Sequence, residues 1–185
     1  MPDHQKRPSL CRLAAKYGSD KCLPEHNYTP FYAGLLSGRR IHRVLEIGIG
    51  TGASLRMWAE YFPDAEIFGM DIDESRLVNE GRIRSFFCDQ GDEAMLWELK
   101  LASRFGLFDL IIDDGSHRLS DQVISAGFFV RCLNFKGLYA IEDIAPANRN
   151  ALCQALAARV PFPFELIDLD LSRRYDDCLI VIERL

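Results

Sequence analysis

Apolar runs of strand length that alternate with stretches of helical period constrain this chain more than any other feature. RVLEIGI (Arg43 to Ile49), EIFGMDI (Glu66 to Ile72), IRSFFCD (Ile83 to Asp89), LFDLIID (Leu107 to Asp113) and GLYAIED (Gly137 to Asp143) read as strands. Between them, ASLRMWAEYF, DEAMLWELKLASRF and SDQVISAGFFVRCL space their apolar residues as amphipathic crossover helices do. A strand, a helix and another strand in repetition make a parallel sheet, because parallel neighbours need a crossover between them.

After Asp143 the pattern changes. NRNALCQALAARV reads as a helix with Asn148 as its cap, and FELIDLDLS and CLIVIERL read as strands joined by the turn RRYDD. So few residues leave no room for a crossover, so these two strands form an antiparallel hairpin at the sheet's edge. The expected fold is α/β, a Rossmann-like seven-stranded, mostly parallel sheet with a reversed last strand and helices on both faces. Residues 1–40 hold two short helical patterns, SLCRLAAKY and TPFYAGLL, around the polar loop GSDKCLPEHN, which reads as a surface connection or a flap. Met57, Trp58 and Trp97 are assigned to packing helices onto the sheet.

At 185 residues, 48% of them hydrophobic, the chain supports one well-buried core. A single domain is expected over 1–185, with an N-terminal helical or flap segment over 1–40 and the Rossmann-like core over 41–185. The net charge is −5, and Lys and Arg are scattered, which is not the footprint of a nucleic-acid binder. Small molecules are the expected partners. No segment has the length or apolarity of a signal peptide or membrane span, so a cytoplasmic location is expected. The six cysteines contain no C-x-x-C pair and read as reduced, mostly buried thiols.

The turn LEIGIGTGAS runs from a buried strand into a helix through Gly48, Gly50 and Gly52. Such glycines bend the chain tightly and let backbone N–H groups approach a ligand. Here the spacing is not that of dinucleotide binding, and Glu46 precedes the first glycine. A carboxylate there repels a pyrophosphate and attracts an ammonium group. Asp71 closes the second strand about 20 residues further on, the place for a carboxylate on ribose hydroxyls. Asp89 and Gln90 end the third strand, placed to hydrogen-bond an adenine amine. Any one such acid serves equally well as a cap or turn residue. Together they suggest S-adenosylmethionine, an adenosine with a positively charged tail and no phosphate.

With these residues placed, the sequence resembles the class I S-adenosylmethionine-dependent methyltransferases. More narrowly, YGSDKCLPEHNYTPFY, LEIGIGTGASLRMW, DDGSH and GLYAIEDI are similar to motifs of the metal-dependent macrolide sugar O-methyltransferases, over roughly Tyr17 to Ile144. The resemblance implies that Asp114, Glu142 and Asp143 hold a magnesium ion and that His117 is the catalytic base. It further implies that Thr29 and Ser54 stand near the methionine end of the cofactor. The chain departs from that family in size, which leaves the acceptor open.

Elementary physics supports the metal. Asp114 and the Glu142–Asp143 pair end the fourth and fifth strands, and neighbouring strand ends lie about 5 Å apart. Carboxylates converging there repel one another unless a cation sits among them, and oxygen ligation suits a hard ion. His117 is one short turn away, placed to take a proton from an acceptor hydroxyl. Asp113 alternates to the opposite face, where it either orients the cofactor's ammonium or supports the glycine turn. His26 in the polar loop is a weaker candidate for touching substrate or cofactor.

The function expected is magnesium-dependent O-methyl transfer to a hydroxyl of a sugar or glycosylated natural product. Alternatives are a catechol or vicinal-diol O-methyltransferase, an NAD-dependent oxidoreductase, and a non-catalytic S-adenosylmethionine-binding module. With no long insertion to cover the site, the loop Gly18 to Asn27 and a second copy of the chain in a homodimer are the expected roof.

Overall fold

The computed structural model describes residues 8–103, 105–169 and 176–185. Two short helices, α1 (Leu10–Tyr17) and α2 (Tyr28–Leu35), precede β1 (Arg43–Ile47), α3 (Ala53–Tyr61), β2 (Glu66–Asp71) and β3 (Ile83–Phe87). Then follow α4 (Glu93–Ser103), β4 (Phe108–Asp113), α5 (Leu119–Phe129), β5 (Leu133–Ile141), α6 (Pro146–Arg159), β6 (Phe164–Asp168) and β7 (Cys178–Glu183). The seven strands form one sheet in the order β3-β2-β1-β4-β5-β7-β6. β1 to β5 pair in parallel, and β7 runs antiparallel between β5 and β6. The expected fold is therefore the observed one. Of the turn expected between the last two strands, Arg173 to Tyr175 lie outside the described residues.

The order doubles back at β1, whose neighbours are β2 and β4. That reversal opens a crevice beyond the carboxyl ends of the strands, where open α/β sheets bind ligands. The register brings the sequence-predicted acids to this one edge, since Ile47 lies beside Met70 and Asp113, and Asp113 beside Ile141.

Each face of the sheet buries its own cluster. On one, Tyr28, Tyr32, Leu55, Met57 and Trp58 from α2 and α3 cover Val44, Leu110 and Ala140. On the other, Phe128, Phe129, Leu152 and Leu156 from α5 and α6 cover Leu45, Ile111 and Tyr139. Trp97 departs from its assignment: it is 49% exposed and meets only the edge of Phe128, while Leu96 is the residue α4 buries. Asn148 is not the cap of α6 either. Pro146, with its pre-set φ, occupies the first turn and starts the helix earlier, behind Ala145. All six cysteines are free, four of them buried.

The segment between α1 and α2 is no adaptable surface loop. Gly18 ends α1 in the left-handed conformation, and Ser19, Lys21, Cys22 and His26 are then all buried. Tyr28 and Thr29 donate their backbone N–H groups to the carbonyl of Lys21, which folds the loop back on itself.

Candidate active site

The glycine turn sits against two neighbouring strand ends. Gly48 has φ +87°, and a Cβ there would lie 2.1 Å from the carbonyl oxygen of Asp114, so only glycine lets β1 and β4 close at this point. Ile49 N–H donates to Asp71 Oδ2 at 2.8 Å, and Asp73 N–H to Asp71 Oδ1 at 2.9 Å. Asp71 thereby fixes the turn to the end of β2. These residues line one wall of a cavity of about 820 Å³, within the range of small-molecule sites. Seven of its lining residues are aspartates against two arginines, an environment for a cationic ligand and against a pyrophosphate.

Behind the opposite wall lies a buried charge cluster centred on Lys21. Its ammonium donates to Asp114 Oδ2 at 2.6 Å and to Glu142 Oε2 at 2.5 Å, and lies 3.2 Å from Glu46 Oε1. Tyr32 OH donates to the other Glu142 oxygen at 2.6 Å. Burial pushes the Glu46 carboxyl up to about 7, with Lys21 opposing the rise. Burial also holds Glu142 well above the ordinary carboxylate range, again against Lys21. No well-formed hydrogen bond reaches either Glu46 oxygen. Four ionisable side chains from three strand ends and the N-terminal segment thus share one dry compartment.

The catalytic candidates stand at the mouth of the cavity. His117 is 40% exposed at its side chain, and its Nε2 is 3.9 Å from Asp143 Oδ2. One ligand atom from each of Asp114, His117 and Asp143 lies within 4.8 Å of the others. His117 and Asp143 both adopt left-handed backbone, at φ +55° and +54°. For a residue with a side chain that conformation costs about 1–2 kcal/mol, a strain that gathers at functional sites. Tyr28 OH donates to Asp143 Oδ1 at 2.5 Å and accepts from Asp143 N–H at 3.2 Å, which holds the turn. Burial, then the charge of Asp114, raises the Asp143 carboxyl. The oxygen donors fit a hard divalent ion at Asp114 and Asp143. Glu142 adjoins them through the shared ammonium.

Gly48, Gly50, Ser54, Asp71, Asp89, Gln90, Asp114, His117 and Asp143 all face the cavity, as expected. Other assignments change. Asp113 is fully buried behind the wall, where it accepts from Gln90 Nε2, Ser125 and Tyr139 at 2.9, 2.6 and 2.7 Å, so it holds Gln90 and α5 to the sheet, which is neither of its two readings, the cofactor's ammonium or the glycine turn. Gln90 spends its amide on Asp113 and on Ser116 N–H, which leaves it bracing the wall. Thr29 is fully buried against Cys11 Sγ at 2.9 Å, away from the cavity. Glu46 and Glu142 lie behind the cavity wall because strand alternation turns them toward α2 and Lys21. Gly52 closes the turn as the N-cap of α3 at φ +77°, one step outside the cavity. His26 is committed to Asp177 Oδ1 at 2.5 Å and stacks on Tyr28.

Sequence reasoning missed Lys21, Tyr28 and Tyr32 in these roles. A lysine in a polar loop reads as solvated, and both tyrosines read as helix packing. The remaining signal was arithmetic: carboxylates expected at one edge exceeded the cations expected there.

A doubly wound sheet of this order, with a glycine turn at its reversal and acidic strand ends around a cavity, is the class I methyltransferase fold. By sequence and fold the chain is similar to O-methyltransferases that act on natural products. It is 38% identical over 148 residues to mycinamicin VI 2''-O-methyltransferase of Micromonospora griseorubida, covering 75% of this chain and 37% of that protein. It is 35% identical over 179 residues to 8-demethyl-8-alpha-L-rhamnosyl tetracenomycin-C 2'-O-methyltransferase of Streptomyces olivaceus, covering 90% of this chain and 47% of that one. The methyltransferase MycE of mycinamycin biosynthesis, solved with Mg, SAH and mycinamycin VI, superposes with a TM-score of 0.79 at 29% identity, over 97% of this chain and 55% of that one. The chain thus spans less than half the length of these curated relatives. No protein-family model matches it. No helix among the described residues is long and apolar enough to cross a membrane.

Proposed function

We propose that this chain is an S-adenosylmethionine-dependent, magnesium-dependent O-methyltransferase whose acceptor is a hydroxyl on the sugar of a glycosylated small molecule. The observation that carries the reading is the meeting of Asp114, Asp143 and His117 within 4.8 Å at the mouth of the cavity that the glycine turn and Asp71 line. The two relatives named as O-methyltransferases of rhamnosyl tetracenomycin-C support the acceptor class. The acidic cavity wall disfavours the NAD alternative, and a module that only binds the cofactor has no use for His117.

In this reading the glycine turn offers backbone N–H groups to the cofactor, Asp71 and Asp89 take its ribose and adenine ends, and Ser54 lies near its methionine end. Asp114 and Asp143 hold the divalent ion, with Glu142 adjoining. The ion supplies positive charge beside the acceptor oxygen, whose proton otherwise leaves only far above neutral pH. His117 receives that proton at Nε2, the ring nitrogen on the carboxylate side. Asp143 Oδ2 lies 3.9 Å from that nitrogen. Gln90 and Asp113 brace the wall so that acceptor and methyl donor meet in line. His117 and Arg118 are exposed, and closure of this side by a second copy in a homodimer belongs to the same proposal. So does residence in the cytoplasm, which the free cysteines support.

The test is transfer of label from methyl-labelled S-adenosylmethionine to glycosides and catechols, with magnesium or with EDTA. Metal-dependent labelling of a sugar hydroxyl is expected. Labelling of catechols alone would move the acceptor to the vicinal diols. No labelling of any acceptor by protein that binds the cofactor would leave a binding module.

A further inference from the structure

Lys21 belongs to none of the roles assigned above, yet its side chain is among the largest that the fold buries completely. Its ammonium bridges Asp114 and Glu142 and lies 3.2 Å from Glu46, which is more negative charge than one cation neutralises. Three carboxylate neighbours within 3.2 Å offset the cost of burying that ammonium. Asp114 faces both ways: one oxygen is held by Lys21, and the residue also lines the cavity beside His117 and Asp143. Glu142 faces inward only, with its oxygens taken by Lys21 and Tyr32.

We propose that Lys21 is a built-in cation that shares Asp114 with the divalent ion and opposes its binding. The ammonium fills the inner position of the carboxylate cluster, and the ion takes the outer one at Asp114 and Asp143. Each cation draws on the same negative charge, and the two repel each other across Asp114. Lys21 thereby holds the carboxylates together against their mutual repulsion when no ion is bound, and it weakens the ion's hold so that metal exchanges readily. This makes Lys21 a positioning residue that acts through Asp114 and Glu142. The inference rests on the metal reading proposed above.

The direction of the effect separates this role from mere structural support. A side chain that only holds the loop would lower metal affinity when removed, whereas removal of an opposing charge raises it. Even under water-like screening, a monovalent and a divalent charge on two sides of one carboxylate repel enough to change affinity roughly tenfold. Manganese binding followed by electron paramagnetic resonance and calorimetry gives the readout without any methyl transfer. Lys21→Met, which keeps length and loses charge, is expected to bind Mn2+ on the order of tenfold or more tightly than the wild type. The double variant Lys21→Met/Glu46→Gln also removes the carboxylate that loses its partner, and serves if the single variant folds poorly; its gain is expected in the same direction but smaller, because the lost carboxylate offsets part of the lost ammonium. Tighter binding in either variant supports the inference, including the case in which the wild type itself shows none. Binding equal to or weaker than a measurable wild type in both overturns it and leaves the metal reading intact. Absence of Mn2+ binding in all three proteins overturns the metal reading and this inference with it.

Discussion

The part of the sheet edge formed by β1, β2 and β3 is built from backbone, whereas the part formed by β4 and β5 is built from buried charge. In the first, glycines approach the neighbouring strand and Asp71 holds the turn through two N–H groups, all within one stretch of chain. In the second, Lys21 of the N-terminal segment pairs with Asp114 and Glu142, and with Glu46 from the neighbouring β1, all remote in the chain. Backbone geometry makes a wall that tolerates no change of shape. Buried ion pairing makes a wall that is sensitive to any change of charge. The two parts meet at Asp114, which lines the cavity and also pairs with Lys21.

The largest effect expected is on the charged side. His117→Ala should lower methyl-transfer turnover by roughly 10²–10⁴-fold, the contribution of a positioned base, while calorimetry finds adenosylhomocysteine affinity unchanged. Equal loss of both would break the division between the two parts. On the backbone side, Gly48→Ala places a methyl 2.1 Å from the Asp114 carbonyl in a left-handed conformation. Overpacking and strain together should destabilise the fold by about 3 kcal/mol or more, read by urea denaturation.

These two residues also mark how far the sequence is legible. Gly48 declares itself because a glycine between a strand and a helix marks a tight turn, although the approach of Asp114 that makes it obligatory is remote in the chain; parallel pairing is legible from local crossover length and apolar period, whereas the strand order is not. His117 and Asp114 declare themselves through the motif DDGSH. Lys21 does not, because the reason for its burial is a set of carboxylates far away in the chain, and no spacing encodes that meeting. Asp113 and Asp114 were told apart by strand alternation alone. Glu142 was assigned by resemblance to the ion, and only the structure shows that Lys21 and Tyr32 hold it from behind.

Smaller effects sharpen the comparison. Asp71→Ala should weaken adenosylhomocysteine binding by about 1.5–3 kcal/mol, the scale of hydrogen bonds to a charged group, and should leave Mn2+ affinity unchanged by calorimetry. A parallel loss of metal would mean that the glycine turn and the carboxylates share one support. The smallest effect concerns pH. Glu46 is raised from 4.5 to about 7 in the folded protein by burial, with Lys21 opposing. The folded state therefore holds this proton more tightly than the unfolded chain does. Its contribution to stability is fully present below about 4.5 and is lost as pH rises through about 7. Denaturation midpoints across that window should fall with pH through this group, and Glu46→Gln should flatten the slope. An unchanged slope would place the proton elsewhere in the cluster.

The left-handed backbone at His117 restricts what protein engineering can do with this site. Glycine, asparagine and aspartate enter that conformation readily, whereas valine, isoleucine and threonine are nearly barred from it. A library randomised at position 117 is therefore filtered by the main chain before any chemistry is sampled. New acceptor specificity has to be sought at Ser116 and Arg118 instead, where the chain imposes no such filter.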